Sequence, residues 1–242
     1  MIYVRFTPSD YGRTVKARSA AESMAKFLCR TATKDMRYVK NFCSIMRNSY
    51  NWDIENYLAN LEPFFELIYI RKAKDNDEKQ YIQLVKNLYG TCKIDSDINI
   101  MRGFMMEYLI WQACQKNRSR NWSMNMGCTV TINDRLVHIE LQNESKKTVD
   151  VAAWCQMGLC GFFIESKSHP KYFQNKDAKY LEALRTELTK YTDITYKICL
   201  FSLDANGLLE KYAEQEGYSI QDDTLILNEN NLFSVNIFSL VS

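Results

Sequence analysis

Three charged residues near the middle of the chain have types and spacings suited to holding a metal ion. Asp150 lies in the otherwise apolar run 148–153, and Glu165 and Lys167 lie in the apolar run 162–167. A charge in a buried strand needs a partner. Two neighbouring carboxylates repel each other unless they share a hard cation, which they bind through oxygen. The pattern therefore predicts a metal-binding cluster with an ammonium group beside it.

The two runs are predicted to form a β-hairpin. Because strand side chains alternate between faces, Glu165 and Lys167 point the same way. With a two-residue turn at 157–158, Asp150 lies directly opposite Glu165, and such residues have Cβ atoms about 4.5–5.5 Å apart. Gly161 could instead mark a bulge, and a slip of one residue would send Asp150 to the other face.

A further carboxylate precedes the hairpin. Glu107 is the only acidic residue in the run 101–116, which predicts a helix that is apolar on nearly every side. The simplest arrangement packs this helix on the sheet and aims Glu107 at the cluster. The alternative is a set of structural ion pairs, for example Asp150 with Lys167 and Glu107 with an arginine.

The rest of the chain shows which elements would position these residues. Apolar residues recur at three- and four-residue spacings over 19–89, which predicts helices, and a polar break follows at 90–99. We therefore expect a mainly helical, basic region over 1–92 and an α/β domain over 93–242. The second region begins with four β-type runs that are predicted to form an antiparallel meander, 127–133, 136–143, 148–155 and 159–167. After them come a helix over 173–191, a strand over 195–203 and a helix that ends near 217. Two further strands are predicted over 224–227 and 232–240.

Charge is distributed unevenly. Residues 1–50 hold ten Lys and Arg against three Asp and Glu, an excess of seven, whereas the whole chain has a net charge of +2. Such a block attracts phosphates, although a solvated basic helix face is the commoner explanation. The candidate nucleic-acid-binding residues are Arg13, Lys16, Arg18, Lys26 and Arg30.

Other features narrow the class of protein. Hydrophobic residues form 46% of the chain and glycines number only 8, which excludes a disordered or fibrous protein. The 8 cysteines form no CxxC pair and are expected to be reduced core residues. No Walker loop or GxGxxG is present, which disfavours nucleotide hydrolysis and dinucleotide redox chemistry. We expect a cytoplasmic protein, since no signal-peptide core or membrane-spanning run is found.

The stretch 102–203 resembles the nuclease domain of the PD-(D/E)xK superfamily. It offers a helix with Glu107, a strand with Asp150, a strand with the ExK triplet 165–167, and then a helix and a strand. The resemblance covers somewhat under half of the chain. It implies an α/β fold with a restriction-endonuclease-like core, in which a mixed sheet is flanked by helices, preceded here by the mainly helical amino-terminal region.

Within that superfamily, several segments are most similar to the nuclease domain of CRISPR-ancillary nucleases activated by cyclic oligoadenylate. These are the Gly-x-x-x-Glu helix at 103–107, VDV at 149–151, FIESK at 163–167 and YLEALR at 180–185. Those nucleases usually have an Asn-Glu pair shortly before the Asp, where this chain has Lys147-Thr148. Their Rossmann-like sensor domain has no counterpart in 1–92, so regulation by a cyclic nucleotide is not carried over.

The resemblance also implies a mechanism. Asp150, Glu165 and the main-chain carbonyl of Ser166 would hold Mg²⁺ or Mn²⁺, Lys167 would act on the attacking water, and Glu107 would complete the site. The expected reaction is hydrolysis of phosphodiester bonds, with DNA favoured over RNA, by a homodimer or a subunit of a larger complex. The alternative is a catalytically inactive protein of this fold that binds nucleic acid or serves in an assembly.

Overall fold

The chain divides into two compact units. A computed structural model describes residues 2–9, 15–68, 76–142, 144–204 and 208–241. One unit comprises Tyr11–Ala113, and the other comprises Met1–Asp10 together with Cys114–Ser242. This division differs from the expected boundary near 92. The polar interval 90–99 leads directly into a long helix, and Asp95 at the start of that helix accepts a hydrogen bond from the amide of Ile54 at 2.8 Å.

The first unit is helical, as the three- and four-residue spacings predict. Its core includes the tilted and edge-on contacts of Phe27, Tyr38 and Tyr81. The buried Tyr81 hydroxyl donates to Asn41, whose amide in turn donates to the carbonyl of Phe64, both at 2.7 Å. The polar groups of Tyr81 and Asn41 in this core are thereby paired. Its helices are α1 (Val15–Thr31), α2 (Arg37–Asn48), α3 (Tyr57–Glu66), α4 (Asn76–Tyr89) and α5 (Asp95–Gln115).

The second unit is α/β and is built on a mixed seven-stranded sheet. In chain order its elements are β1 (Val4–Pro8), β2 (Trp122–Ile132), β3 (Arg135–Leu136), β4 (Ile139–Leu141), β5 (Glu144–Lys146), β6 (Thr148–Cys155), β7 (Cys160–Lys167), α6 (Asn175–Leu188), β8 (Thr195–Ser202), α7 (Leu209–Gln215) and β9 (Leu225–Leu227). The sheet order is β1-β2-β6-β7-β8-β9, and β3 also pairs with β2. The pairs from β1 to β7 are antiparallel, and β7, β8 and β9 are parallel.

Two predictions about strand order were wrong. The run 136–143 does not continue the meander, because β4 and β5 form a separate two-stranded sheet and β2 pairs directly with β6. The run 232–240 is not a strand; it forms turns and a short 3₁₀ helix, Ile237–Leu240. In that segment Phe238 packs edge-on against Trp122 and Phe162, so its apolar residues cover a face of the sheet instead of extending it.

The β6–β7 hairpin has the predicted register. Val151 pairs with Ile164, and the ladder continues to the Cys155–Cys160 pair beside the turn. The turn itself spans 156–159 instead of two residues, and its last residue, Leu159, has a positive φ of 48°. Because the register is the one expected from the central turn positions, the bulge considered at Gly161 is absent from this ladder.

Helix α6 connects the parallel strands β7 and β8 and covers one face of the sheet. Its buried residues Tyr180, Leu184 and Leu188 join a core cluster that contains Trp154 and Phe163. Because side chains alternate along β7, Glu165 and Lys167 lie on the same face as Phe163. The amino-terminal end of α6 therefore lies where these charged residues emerge from the sheet. None of the helices in the described ranges combines the length and apolar character needed to cross a bilayer.

Gly161 offers a test of the hairpin. A Cβ atom at this position would lie 2.3 Å from Trp154 Cε3 and 2.6 Å from the carbonyl oxygen of Ala153. Gly161→Ala should therefore lower the free energy of unfolding by about 2 kcal/mol or more, since a buried ring and a strand backbone must both move. Gly103→Ala is the matched control, because a Cβ there meets nothing within 4 Å and alanine favours the helix. Urea unfolding would measure both; equal stability of the two variants would contradict the packing argument.

Candidate active site

The candidate site is a cluster of charged side chains at the carboxyl end of β7. Asp150 comes from β6, and Glu165 and Lys167 come from β7. Two further members are residues that the sequence analysis did not single out. Lys146 is the last residue of β5, and Asp177 lies in the first turn of α6. All five belong to the α/β unit.

Glu165 is at the centre of the cluster. Its side chain is 0% exposed, and its Oε1 accepts hydrogen bonds from Lys146 Nζ at 2.8 Å and Lys167 Nζ at 2.7 Å. Burial and the nearby Asp150 carboxylate raise the pKa of Glu165 to about 7, although both lysines oppose the shift. Its second oxygen, Oε2, is buried and accepts no hydrogen bond within the described part of the chain.

Asp177 completes the pairing of both ammonium groups. Its Oδ1 lies 3.1 Å from Lys146 Nζ and 3.3 Å from Lys167 Nζ. Its Oδ2 accepts a hydrogen bond from the amide of Gln174 at 2.9 Å, as part of the capping box that begins α6. Burial disfavours the charged carboxylate, but Lys167 and Lys146 outweigh that effect and lower the pKa of Asp177.

The two lysines are held in their charged form. Burial disfavours an ammonium group, yet the surrounding carboxylates, Glu165 foremost, raise the pKa of Lys146 and of Lys167 above the ordinary value. Lys167 Nζ also lies 5.8 Å from the ring centroid of Phe173. The ammonium group of Lys167 is thus positioned by two carboxylates and an aromatic ring.

Asp150 is anchored by Ser166. Both the main-chain amide and the hydroxyl of Ser166 donate to Asp150 Oδ2 at 2.7 Å. The ion pairs of Lys167 in the structure run to Glu165 and Asp177, instead of to Asp150 as the structural alternative supposed. The hydrogen bonds that the structure gives Asp150 engage one oxygen, so its carboxylate keeps a second oxygen for another ligand.

The donor set fits a hard divalent cation. With every group ionised, the three carboxylates exceed the two ammonium groups by one negative charge. Asp150 and Glu165 each retain a carboxylate oxygen, and the raised pKa of Glu165 reflects in part the repulsion between them. Mg²⁺ and Mn²⁺ take such oxygen ligands and Mg²⁺ keeps several waters. The described residues contain no group of three or more His, Cys, Asp or Glu that could hold a metal, so main-chain carbonyl or water ligands would be needed as well.

Glu107 lies in the other unit. It is buried in α5 at 6% exposure, among the apolar neighbours that its sequence predicts. It is therefore not counted among the five clustered residues, and its contribution to the site stays a prediction.

The basic amino-terminal residues also belong to the helical unit. Lys16, Arg18, Lys26 and Arg30 are exposed on α1, whereas Arg13 lies outside the described residues. Two of these charges are paired, Lys26 with Glu22 at 2.6 Å and Arg30 with Asp77 at 3.0 Å. Contact of this face with nucleic acid stays a prediction, and these ion pairs reduce the positive charge it presents.

A histidine, a tryptophan and the cysteines outside the cluster have structural roles. His169 accepts a hydrogen bond from the amide of Lys171 at 3.2 Å and so caps the 3₁₀ helix that follows. Trp122, which stands beside a polar turn in the sequence, is 8% exposed and packs against Phe238. The eight cysteines are free, and all except the half-buried Cys29 are buried, as expected of reduced core residues.

The chain matches no protein-family model and no curated protein sequence. The chemistry assigned to the cluster therefore rests on its geometry and on the local sequence resemblance.

The raised pKa of Glu165 predicts how stability changes with pH. Between the ordinary carboxyl value of 4.5 and about 7, folded Glu165 keeps a proton that the unfolded chain has lost. Stability should therefore fall as pH rises through this window. The raised lysines contribute nothing to the slope there, because they stay charged in both states. The lowered pKa of Asp177 adds a small opposing slope only at the acidic end, where unfolded Asp177, with its ordinary value of 3.8, still binds some protons. Melting temperatures in chelator should show the wild type losing stability relative to Glu165→Gln from pH 4.5 to 7.

The exposed Glu140 supplies the control for this measurement. Glu140→Gln should follow the wild-type curve across the same range. A difference between wild type and Glu165→Gln that is flat or increases with pH would contradict the shift assigned to Glu165.

Proposed function

We propose that this chain is a metal-dependent nuclease that hydrolyses phosphodiester bonds, with a restriction-endonuclease-like core in its α/β unit. The observation that carries the proposal is the convergence of Asp150, Glu165 and Lys167 on one face of the sheet. The Lys167 ammonium lies 2.7 Å from Glu165 Oε1, and Asp150 is held one strand away by Ser166. The ExK triplet and the preceding Asp thus form one cluster, as the resemblance requires.

Each residue has a distinct part in the proposed reaction. Asp150, Glu165 and the main-chain carbonyl of Ser166 would hold Mg²⁺ or Mn²⁺. The bound cation would supply Lewis-acid stabilisation of the charge that develops on the phosphate. Lys167 would orient the attacking water and stabilise its deprotonated form, because its ammonium group is charged and already positioned beside Glu165.

Asp177 and Lys146 would act as positioning residues. Asp177 restrains Lys167 from the side of α6, while Lys146 neutralises part of the negative charge on Glu165. This arrangement keeps the lysine within reach of Glu165. DNA is the favoured substrate, and RNA, which has the same phosphodiester bond, is the alternative substrate.

The second candidate is an inactive member of this fold that binds nucleic acid or acts in an assembly. One observation favours it: Glu165 Oε1 and Asp177 Oδ1 already receive both ammonium groups, as in a structural ion network. A network of this kind needs no cation. Activity and stability of matched variants therefore separate the two functions.

The first activity test removes the carboxylates. Asp150→Asn and Glu165→Gln should each abolish Mn²⁺-dependent cleavage of DNA or RNA while keeping the secondary structure, because each variant loses a charged oxygen ligand. Glu140→Gln, an exposed carboxylate of the same unit, should cleave like the wild type. Cleavage would be followed on labelled oligonucleotides with Mn²⁺ and with a chelator. If either cluster variant cleaves at the wild-type rate at the same Mn²⁺ concentration, the active-site assignment is wrong.

The second activity test compares two lysines that share the same partners. Lys167→Met and Lys146→Met each break ion pairs to Glu165 and Asp177, so their melting temperatures should fall by similar amounts. If Lys167 acts on the water, its replacement should lower the single-turnover cleavage rate by roughly 10²–10⁴-fold, the usual contribution of such assistance, whereas replacing the positioning residue Lys146 should lower it much less. Equal rate losses that track the melting temperatures would assign both lysines to a structural network.

A further inference from the structure

A cavity of about 270 Å³ lies between α6, β8 and the segment that precedes β9. Its walls are apolar where α6 faces the sheet, with Leu181 on the helix and Ile198 and Leu200 on the strand. Gly217, at a positive φ of 74°, begins the segment that closes the opposite side. The cavity is large enough for one small heterocycle and too small for an extended drug-sized ligand.

Two aromatic residues line the cavity and also approach the charged cluster. Phe173 lines it, and the same ring lies 5.8 Å from Lys167 Nζ. Tyr218 lines it too, and burial, together with the charge of Asp177, raises the pKa of its hydroxyl to about 12. That hydroxyl is buried and makes no hydrogen bond within the described ranges. The ring of Phe173 is therefore shared between the wall of the cavity and the cluster.

The rim of the cavity is polar and carries charges of both signs. Lys179 and Arg185 line it along with one carboxylate, Glu182. The Arg185 guanidinium is held in place by Asp223 and by Thr224 Oγ1, the latter at 3.1 Å. Amide and hydroxyl groups of Asn175, Ser219 and Gln221 complete the rim. An occupant thus needs a flat apolar body and an edge that forms hydrogen bonds.

We propose that this cavity binds one unstacked nucleobase of the strand whose phosphate lies at the Asp150, Glu165 and Lys167 cluster. The inference rests on the proposed nuclease function for the position of the strand. A purine or pyrimidine has the required apolar faces and polar edge, and its attached phosphate suits the Lys179 ammonium on the rim. Because a base inside a duplex is stacked and paired, the site selects single-stranded or locally opened nucleic acid.

The test compares two oligonucleotides with the same number of phosphates. One is single-stranded oligothymidylate, and the other has the same backbone with abasic spacers throughout. The full chain in chelator should bind the first at least about fivefold more tightly, since stacking one base contributes at least that much to affinity. Fluorescence anisotropy at fixed salt would measure both. Equal affinity of the wild type for the two strands would overturn the proposal.

Variants of the cavity wall locate the effect. Ala178→Leu and Ser219→Trp fill the cavity from opposite sides, and each should remove the preference for the strand that carries bases. Ala183→Leu is the matched control, since Ala183 is a half-buried alanine of the same helix that does not line the cavity. Melting temperatures identify any variant that fails to fold. A preference that survives in both filled variants would overturn the proposal.

Two further outcomes distinguish a failure of the base-site proposal from a failure of the nuclease proposal. A wild type that prefers the base-carrying strand but never cleaves with Mn²⁺ would contradict the nuclease and leave the base site standing. Cleavage without such a preference would contradict the base site and leave the nuclease function standing. Titration calorimetry with thymidine monophosphate distinguishes a free nucleotide from a base within a strand. If the free nucleotide binds, Ala178→Leu abolishes that binding, and the wild type does not discriminate between the two strands, the assignment to a strand is overturned.

Discussion

The burial of one carboxylate, that of Glu165, is the constraint on which the candidate site depends. A fully buried charge costs several kcal/mol unless nearby groups compensate for it. Here the compensating positive charges come from two elements, and a third element holds those charges in place. β7 supplies Lys167 two residues away, β5 supplies Lys146, and the first turn of α6 supplies Asp177, which holds both ammonium groups. The positions of these elements are therefore coupled through a single side chain.

The electrostatics of the cluster favour a site over a purely structural network. A structural network is expected to end with its charges paired and its buried oxygens bonded. This one has an excess carboxylate, and Glu165 Oε2 is buried without a hydrogen bond from the described residues. Asp150 is restrained by Ser166 and leaves one oxygen uncommitted. These features support the proposed cation-dependent chemistry, and they also explain why removing charge here should affect stability.

The hairpin could be predicted from the sequence because its causes are local. Strand alternation placed Glu165 and Lys167 on one face, and the centre of the turn determined the register even though the turn is longer than expected. Gly161 was ambiguous from sequence because the reason for it, the indole of Trp154, comes from the partner strand. The α6 helix and β8 followed from clear periodicities in the same way.

The parts that escaped prediction depend on contacts between distant segments. Lys146 lies in a polar stretch too short to show a strand period, and Asp177 has a sufficient local explanation as a capping residue. Either residue becomes notable only when β7 lies beside it. The ion pair of Arg30 with Asp77 likewise joins two helices, so the strength of the basic block could not be judged from composition. β1 is another case, since its sheet partner follows more than a hundred residues later.

The small β4–β5 sheet makes the electrostatics of the cluster sensitive to local opening. Each of its strands has three residues, and a ribbon of that size is marginally stable alone, so its stability depends on packing against α6. When this ribbon opens, Lys146 leaves Glu165, and the cluster loses one positive charge. A cation bound as proposed would offset the same carboxylates as the docked ribbon, so the two would compete. By thermodynamic reciprocity, cation binding should increase hydrogen exchange in the ribbon to the same extent that docking weakens the affinity for the cation.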